Sequence, residues 1–385
     1  MAEDRQCGGF GIYIHWPYCL SKCPYCDFNS HVSASVDVGA WQTAFLAELD
    51  RAAQHLSGRV VDSIFFGGGT PSLMPPKLVS AIVGKVNDIW TVADDLEVTL
   101  EANPTSVEAD RFADFHAAGV NRASVGVQAL NDPDLQRLGR LHSVKEAMQA
   151  LEIARNTFDR VSFDLIYARQ NQDVSSWQTE LSVALALNPD HLSLYQLTIE
   201  PETAFGRLHD AGKLSGLPID GQSADMFAAT QEMTARAGLP AYEISNHATP
   251  GNQSRHNMIY WRYGDYLGLG PGAHGRLILK GKKFATESFK APNDWLAAVS
   301  NGTGYSDVSE LDPENQAVEY LMMSLRLTEG TSPSRYAAMS GTPLKPHKIR
   351  DLCDLNLINV NGDRLQATAR GKIVLNSVLQ ELLSD

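Results

Sequence analysis

The strongest constraint on this chain is an alternation. From residue 11 to about residue 200, stretches patterned as strands and stretches spaced as helices follow one another six times. "GIYIHW" (11–16) is apolar and β-branched, "VGAWQTAFLAELDRAAQHL" (38–56) has helical spacing, and "VDSIFF" (61–66) reads as a strand running into "GGGTPS". A helix near 76–90 precedes the strand "LEVTLEANP" (96–104). The pattern continues with helix "RFADFHAAG", strand "RASVGVQ", helix "VKEAMQALEIARN", strand "RVSFDLIYA", helix "SWQTELSVALALN" and strand "HLSLYQLTIE". Such alternation implies parallel strands joined by covering helices. Six units do not close an eight-fold barrel. The predicted core is therefore α/β, an incomplete and open (β/α)6 barrel over residues 1–220.

Residues 221–305 are less regular: a long helix ("SADMFAATQEMTARAG"), then "YEISNHATPG", "SRHNMIYW" and "YLGLGPGAHGR". They read as an extension completing the core. A break is expected at "SNGTGYSDVSELDPEN". From 312 to 385 the chain reads as a small appended domain, with several helices, a hairpin-like "INVNGDRLQAT" and a terminal helix "RGKIVLNSVLQELL". Helices with a small wing suggest a winged-helix-like module. That shape often binds DNA, but the module is not markedly basic, so a structural or partner-docking role is expected.

A formal net charge of -13 over 385 residues argues against general affinity for nucleic acid or anionic lipid, which need a cationic surface. The start "MAEDRQCGGFGIYIHW" shows no apolar segment after a basic one, as a secretory signal would. No apolar run reaches the length of a membrane span. Three of the five cysteines cluster while Cys7 and Cys353 stand far apart without a motif, which is not a disulfide framework. A reducing cytoplasm is the expected setting, with a processed organelle protein as the alternative.

The clustered cysteines, Cys19, Cys23 and Cys26, are spaced C-x3-C-x2-C in "HWPYCLSKCPYCDFNS". Soft thiolates at that spacing suit zinc or an iron–sulfur cluster. Zinc would need a fourth ligand, for which His15 and His31 are at hand. A four-iron cluster on three cysteines would instead leave one iron open to a substrate. "GGGTP" (67–71) at the end of a predicted strand allows close backbone approach to a bound group, though alone it reads as a tight turn. Glu101 and Gln128 also end predicted strands. In barrels of parallel strands, such ends converge on one mouth.

The cysteine motif after the first strand, joined to "GGGTP" after the second, resembles the radical S-adenosylmethionine (SAM) superfamily. That resemblance implies a [4Fe-4S] cluster on Cys19, Cys23 and Cys26, with the amino and carboxylate groups of SAM on the fourth iron. Electron transfer from the cluster would cleave SAM to a 5′-deoxyadenosyl radical. The segments "YIHWPYCLSKCPYCDFNS", "FFGGGTPS", "LEANP", "SVGVQALND", "LGRLHS", "FDLIY" and "YEISNHATPG" further resemble the oxygen-independent coproporphyrinogen oxidase group, HemN and its relative HemW. The match runs through nearly the whole chain, so the small terminal domain is expected to be of the HemN C-terminal type. The resemblance implies SAM contacts at Tyr13, Tyr25, Gly68, Gly69, Thr70, Glu101, Gln128, Arg140 and Asp164. Read alone, Arg140 would be an ordinary surface charge and Asp164 a strand-end cap.

Two features separate the branches. The oxidases carry a further cysteine two places after the third, where this chain has Phe28. "SRHNMIYW" contains H-N-x-x-Y-W, which resembles the HemW branch. The first 15 residues are also short beside what the oxidases place there. HemW proteins are haem chaperones, which implies haem as a further ligand, haem-requiring acceptors such as respiratory enzymes, a haem donor, and no coproporphyrinogen dehydrogenase activity. The alternative is radical SAM oxidative decarboxylation of coproporphyrinogen III. For haem, the resemblance points to His256, with Asn257, Tyr260 and Trp261 beside it. As residues they read equally well as a satisfied core histidine and core aromatics. His15, His142, His247 and His274 are the other candidate ligands.

Overall fold

The computed structural model describes residues 8–33 and 35–384; Cys7 lies outside them. Six strands and the five helices between them appear in the expected order. They are β1 (Phe10–Trp16), α1 (Val38–Ala53), β2 (Val60–Gly68), α2 (Pro76–Ile89), β3 (Thr91–Ala102), α3 (Phe112–Ala117), β4 (Arg122–Gln128), α4 (Val144–Thr157), β5 (Arg160–Tyr167), α5 (Val174–Ala186) and β6 (His191–Gln196). The helices start where local chemistry predicts. Asp37 caps α1, and Ser143 with Glu146 forms a capping box on α4. The strands pair in parallel from β1 through β6.

The extension continues this sheet on both sides. After α6 (Asp220–Arg236), β7 (Asn246–Ala248) pairs antiparallel with β6 and ends the sheet there. Beyond α7 (Arg255–Trp261), β8 (Asp265–Leu269) pairs in parallel with the free side of β1. Strands β9 (His274–Leu279), β10 (Lys282–Ser288) and β11 (Tyr305–Glu310) follow antiparallel, giving an 11-stranded sheet. Strand β11 falls inside the segment expected to be a break. Its residues are almost all exposed, so it has no apolar face for the sequence to betray, and it is recruited by backbone pairing with β10.

Each barrel strand presents two unlike faces. Ile12, Ile14, Ile64, Phe66, Val98, Leu100, Val125 and Phe163 point outward and join one apolar core with helix residues such as Phe45, Ile82 and Leu151. Their neighbours in sequence line a polar interior, where Ser63, Glu97, Thr99, Arg122, Ser162 and His191 are all buried. Helix α8 (Pro292–Ser300) ties the extension to α1, with Trp295 stacked on Trp41 at 5.3 Å.

The terminal region contains α9 (Pro313–Ser324), α10 (Pro333–Ser340), α11 (Pro346–Asp354), the hairpin β12 (Ile358–Asn361)–β13 (Arg364–Ala367), α12 (Ala369–Ile373) and α13 (Leu375–Leu383). The expected single terminal helix is two, interrupted at Val374, whose backbone leaves helical geometry. This region has its own apolar cluster, including Leu321, Leu352, Leu365 and Val378, with Cys353 packed at its margin. It is bonded to the core through Arg262–Glu329 and Arg276–Glu319 ion pairs and through Thr328 N–H to the Tyr242 carbonyl. No helix among the described residues is long and apolar enough to cross a membrane.

Candidate active site at the barrel mouth

The cysteine loop leaves β1 at Pro17 and is stitched down at both ends. Tyr18–Cys19 pairs with His31–Val32 as a short parallel ladder, and His31 N–H donates to the Pro17 carbonyl at 2.7 Å. The turn after β2 is bonded to the same loop, Gly69 N–H to the Trp16 carbonyl and Thr70 N–H to the Tyr18 carbonyl. Asn29 fastens the loop to the extension by donating to the Pro271 and Lys290 carbonyls. Two glycines of the turn are dictated by this packing. A Cβ on Gly68, at φ +111°, would meet the His15 ring at 2.7 Å, and one on Gly69 would meet the Tyr18 carbonyl oxygen at 2.8 Å.

A cavity of about 1120 Å³ opens between this loop and the carboxyl ends of β2 to β6. Cys19, Cys23, Cys26, Tyr25, Gly68, Gly69, Thr70, Glu101, Gln128, Arg140 and Asp164 all line it. Parallel strand ends thus bring residues from five separate sequence segments to one mouth. The three thiols are free and partly accessible. Burial pushes the Cys19 and Cys26 thiols up, while Thr70 Oγ1 donates to Cys19 Sγ at 3.3 Å and Arg140 Nη1 reaches Cys23 Sγ at 3.6 Å. These donors favour the thiolate that a metal requires. Among the described residues no three His, Cys, Asp or Glu groups are gathered to hold a single metal ion. All three thiols face the cavity from one short loop, closed by the Tyr18–Cys19 and His31–Val32 pairing.

The carboxylates carry the signature of a binding site. Asp164 Oδ1 is buried with no hydrogen-bond partner, and burial pushes its carboxyl up to about 6. Glu101 Oε2 accepts one bond, from Gly68 N–H at 3.2 Å, and burial with nearby Asp164 pushes it up to about 8. Acceptors left short of donors inside a cavity fit the amino group and ribose hydroxyls of SAM. Gln128 takes φ +71°, unusual for its type and of the kind found at binding sites. Arg140 is held by the Asn103 side chain and by the Gly126 carbonyl at 2.9 Å.

Two expected residues lie elsewhere. Tyr13 sits one layer below the cavity, its hydroxyl bonded to His15 Nδ1 at 3.0 Å and its ring stacked on Phe65. His256 is deeper still, 1% exposed, with both ring nitrogens engaged: Nδ1 with Ser63 Oγ at 2.7 Å and Nε2 with the Tyr260 hydroxyl at 2.6 Å. Burial pushes it down to about 3. Of the other histidines, His15 binds the Asn29 carbonyl, His142 the Val127 carbonyl and His247 Gln231, whereas His274 is exposed.

Sequence reasoning missed Asn103, which joins Arg140 to Thr70 Oγ1 and to Glu108. Its place two residues after Glu101 in "LEANP" was the available signal. It also missed Lys372 and Ile373, which line the cavity from the far end of the chain. No local pattern could have shown that.

The model of the Radical SAM superfamily matches residues 13–177, and that of the HemN C-terminal domain matches 311–374. The "Heme chaperone HemW" of Escherichia coli is 36% identical over 380 residues, covering 97% of this chain and 98% of that protein. The mitochondrial "Radical S-adenosyl methionine domain-containing protein 1" of Bos taurus is 37% identical over 385 residues, covering 97% and 87%. The solved structure of coproporphyrinogen III oxidase (HemN) from Escherichia coli superposes with a TM-score of 0.81 at 21% identity, over 97% of this chain and 90% of that one, which shows the fold. A three-cysteine barrel mouth, a HemN-type terminal domain and relatives matched over nearly their full lengths together place this chain in the HemW family of radical SAM proteins.

Proposed function

We propose that this protein is a haem carrier of the HemW type, working in the cytoplasm: it holds a [4Fe-4S] cluster and SAM at the barrel mouth, binds haem, and delivers it to haem-requiring acceptors. The observation that carries the reading is the near full-length likeness to proteins named haem chaperones, in a chain with Phe28 where the oxidase pattern has its extra cysteine. Cys19, Cys23 and Cys26 would hold the cluster, which supplies one-electron transfer to SAM when bound. Glu101 and Asp164 would accept from the SAM amino and ribose hydroxyl groups, and Arg140 would grip its carboxylate. Thr70, bonded to Cys19, orients that thiolate. Residues 1–220, 221–305 and 312–385 would serve as core, extension and terminal domain.

Haem ligation by His256 would have to exchange its bond to Tyr260 or Ser63 for iron. His274, exposed, needs no such exchange. The test is anaerobic haem titration of the reconstituted protein, followed by transfer to apo-acceptors. His256→Ala should weaken haem binding or shift the Soret band while leaving iron–sulfur content intact. An unchanged spectrum in His256→Ala and a changed one in His274→Ala would move the ligand. The second reading, coproporphyrinogen dehydrogenase, draws on the shared fold. A porphyrin product assay with SAM and reductant should give no protoporphyrinogen IX; turnover would replace the carrier reading.

A further inference from the structure

One polar side chain of β1 sits at the base of the cysteine loop, outside the groups assigned to SAM. His15 is 5% exposed and lies in register with Gly67 of β2. Its Nε2 is 2.9 Å from the Asn29 carbonyl oxygen, and its Nδ1 is 3.0 Å from the Tyr13 hydroxyl. A carbonyl only accepts, so Nε2 carries a proton and donates to Asn29. Burial pushes the imidazole down, so Nδ1 is bare and accepts from the Tyr13 O–H. Tyr13 is itself a fixed point, its ring stacked on Phe65 and on His256, each at 6.2 Å.

Three segments close on this imidazole. The ring lies flat against Gly68, where a Cβ would come within 2.7 to 2.9 Å of Cε1, Nδ1 and Nε2 at once. The His15 carbonyl is clasped by the turn after β8, where Gly270, at φ +106°, has no room for a Cβ against the carbonyl oxygen. Asn29, which takes the Nε2 bond on its backbone, reaches with its side chain to the Pro271 carbonyl at 2.9 Å and the Lys290 carbonyl at 2.8 Å. His15 thus stands where the glycine turn, the cysteine loop and the extension meet. The turn it touches is the one whose Gly68 N–H donates to Glu101 Oε2 at 3.2 Å. The loop it holds carries Cys26 three residues before Asn29.

We propose that His15 is a positioning residue for the cluster and SAM together: its Nε2–H fixes the cysteine loop against the Gly68 turn, and so sets the spacing between the three thiols and the groups that would hold SAM. The inference rests on a cluster and SAM at this mouth and is independent of haem. It also gives Tyr13 its part. From below the cavity, the Tyr13 hydroxyl holds the imidazole in the tautomer that the loop requires. The competing assignment is an ordinary core histidine, whose loss would lower stability and leave SAM binding alone.

The full-length protein is reconstituted anaerobically. Iron and sulfide content, SAM affinity, and the electron paramagnetic resonance spectrum of the reduced cluster with and without SAM are then measured. His15→Asn keeps an acceptor at the Nδ1 place but ends short of the Asn29 carbonyl. It should retain about four irons and four sulfides, bind SAM about tenfold more weakly, and show a smaller spectral change on SAM addition. His15→Gln puts a side-chain N–H at the Nε2 place and should restore SAM affinity to within about threefold of wild type, with the spectral change. Asn29→Ala frees the loop from Pro271 and Lys290 while leaving the imidazole in place, and should weaken SAM binding by less than His15→Asn. Unchanged SAM affinity in His15→Asn, equal weakening in both His15 variants, or loss of the cluster from both would each overturn the assignment. If His15→Asn does not fold, Asn29→Ala decides, and unchanged SAM affinity there overturns it. A wild type that assembles no cluster sinks the proposed function instead.

Discussion

The two ends of the barrel interior are made from the same strands and behave in opposite ways. At the amino end, Glu97 accepts from Arg160 Nη1 at 2.6 Å and from the Arg255 N–H at 3.0 Å, and Arg160 goes on to the Asn252 and Gln253 carbonyls. Arg122 donates to Ser162 Oγ at 2.9 Å, and His256 has both nitrogens used. At the carboxyl end, Asp164 Oδ1 has no donor, Glu101 has one, and three thiols face a cavity. Buried polar groups that find partners within the chain form structure. Those at the carboxyl end that find none face the cavity and are the groups assigned to a ligand in the proposed function, the cost of their burial being borne by the free protein.

Removing the cysteines should break the comparison most completely. Cys19→Ala, Cys23→Ala or Cys26→Ala should each abolish the cluster, while Cys353→Ala and Cys7→Ala should leave about four irons and four sulfides per chain. Iron and sulfide analysis after anaerobic reconstitution decides this. Stoichiometric zinc and no cluster would move the carboxyl end into the structural class.

The next contrast sets stability against binding. Glu97→Ala should lower stability by about 3 kcal/mol or more, since it strands Arg160 and Arg122 in the interior. Asp164→Asn should leave unfolding nearly unchanged, or slightly harder, yet weaken SAM binding about tenfold. Urea denaturation and SAM titration on both variants test the pair. A large stability loss in Asp164→Asn would erase the distinction between the two ends.

The smallest effect is in pH. Burial pushes His256 down to about 3 and His247 to about 4, below the unfolded imidazole value, so their contribution is present above about pH 6.5 and is lost as pH falls. Glu101, up to about 8, and Asp164, up to about 6, lie above their unfolded values. Their contribution is present in acid and is lost as pH rises through those values. The carboxylate contribution of the cluster-free protein should therefore be lost from about pH 4 up to about pH 8, with the histidines opposing that loss below about pH 6.5, and Glu101→Gln should flatten the loss most clearly between about pH 6.5 and 8. Denaturation midpoints across that range that are identical for wild type and Glu101→Gln would show that Glu101 is not strained.

Much of this protein was decided by its sequence alone. The six strand–helix units follow from apolar period and capping residues, both local properties, and their order leaves little choice but a parallel sheet. The cysteine spacing, too, is readable because one short loop carries all three thiols. The tertiary structure decided what depends on register and closure. It placed β8 beside β1, made a strand of the polar segment 305–310, and turned alternate strand residues inward to form two unlike polar layers. It put Tyr13 and His256 below the mouth and brought Asn103 and Lys372 to it. Those placements are set by which strand lies next to which and by the one-residue parity of each strand. Neither is written in any single stretch of the chain.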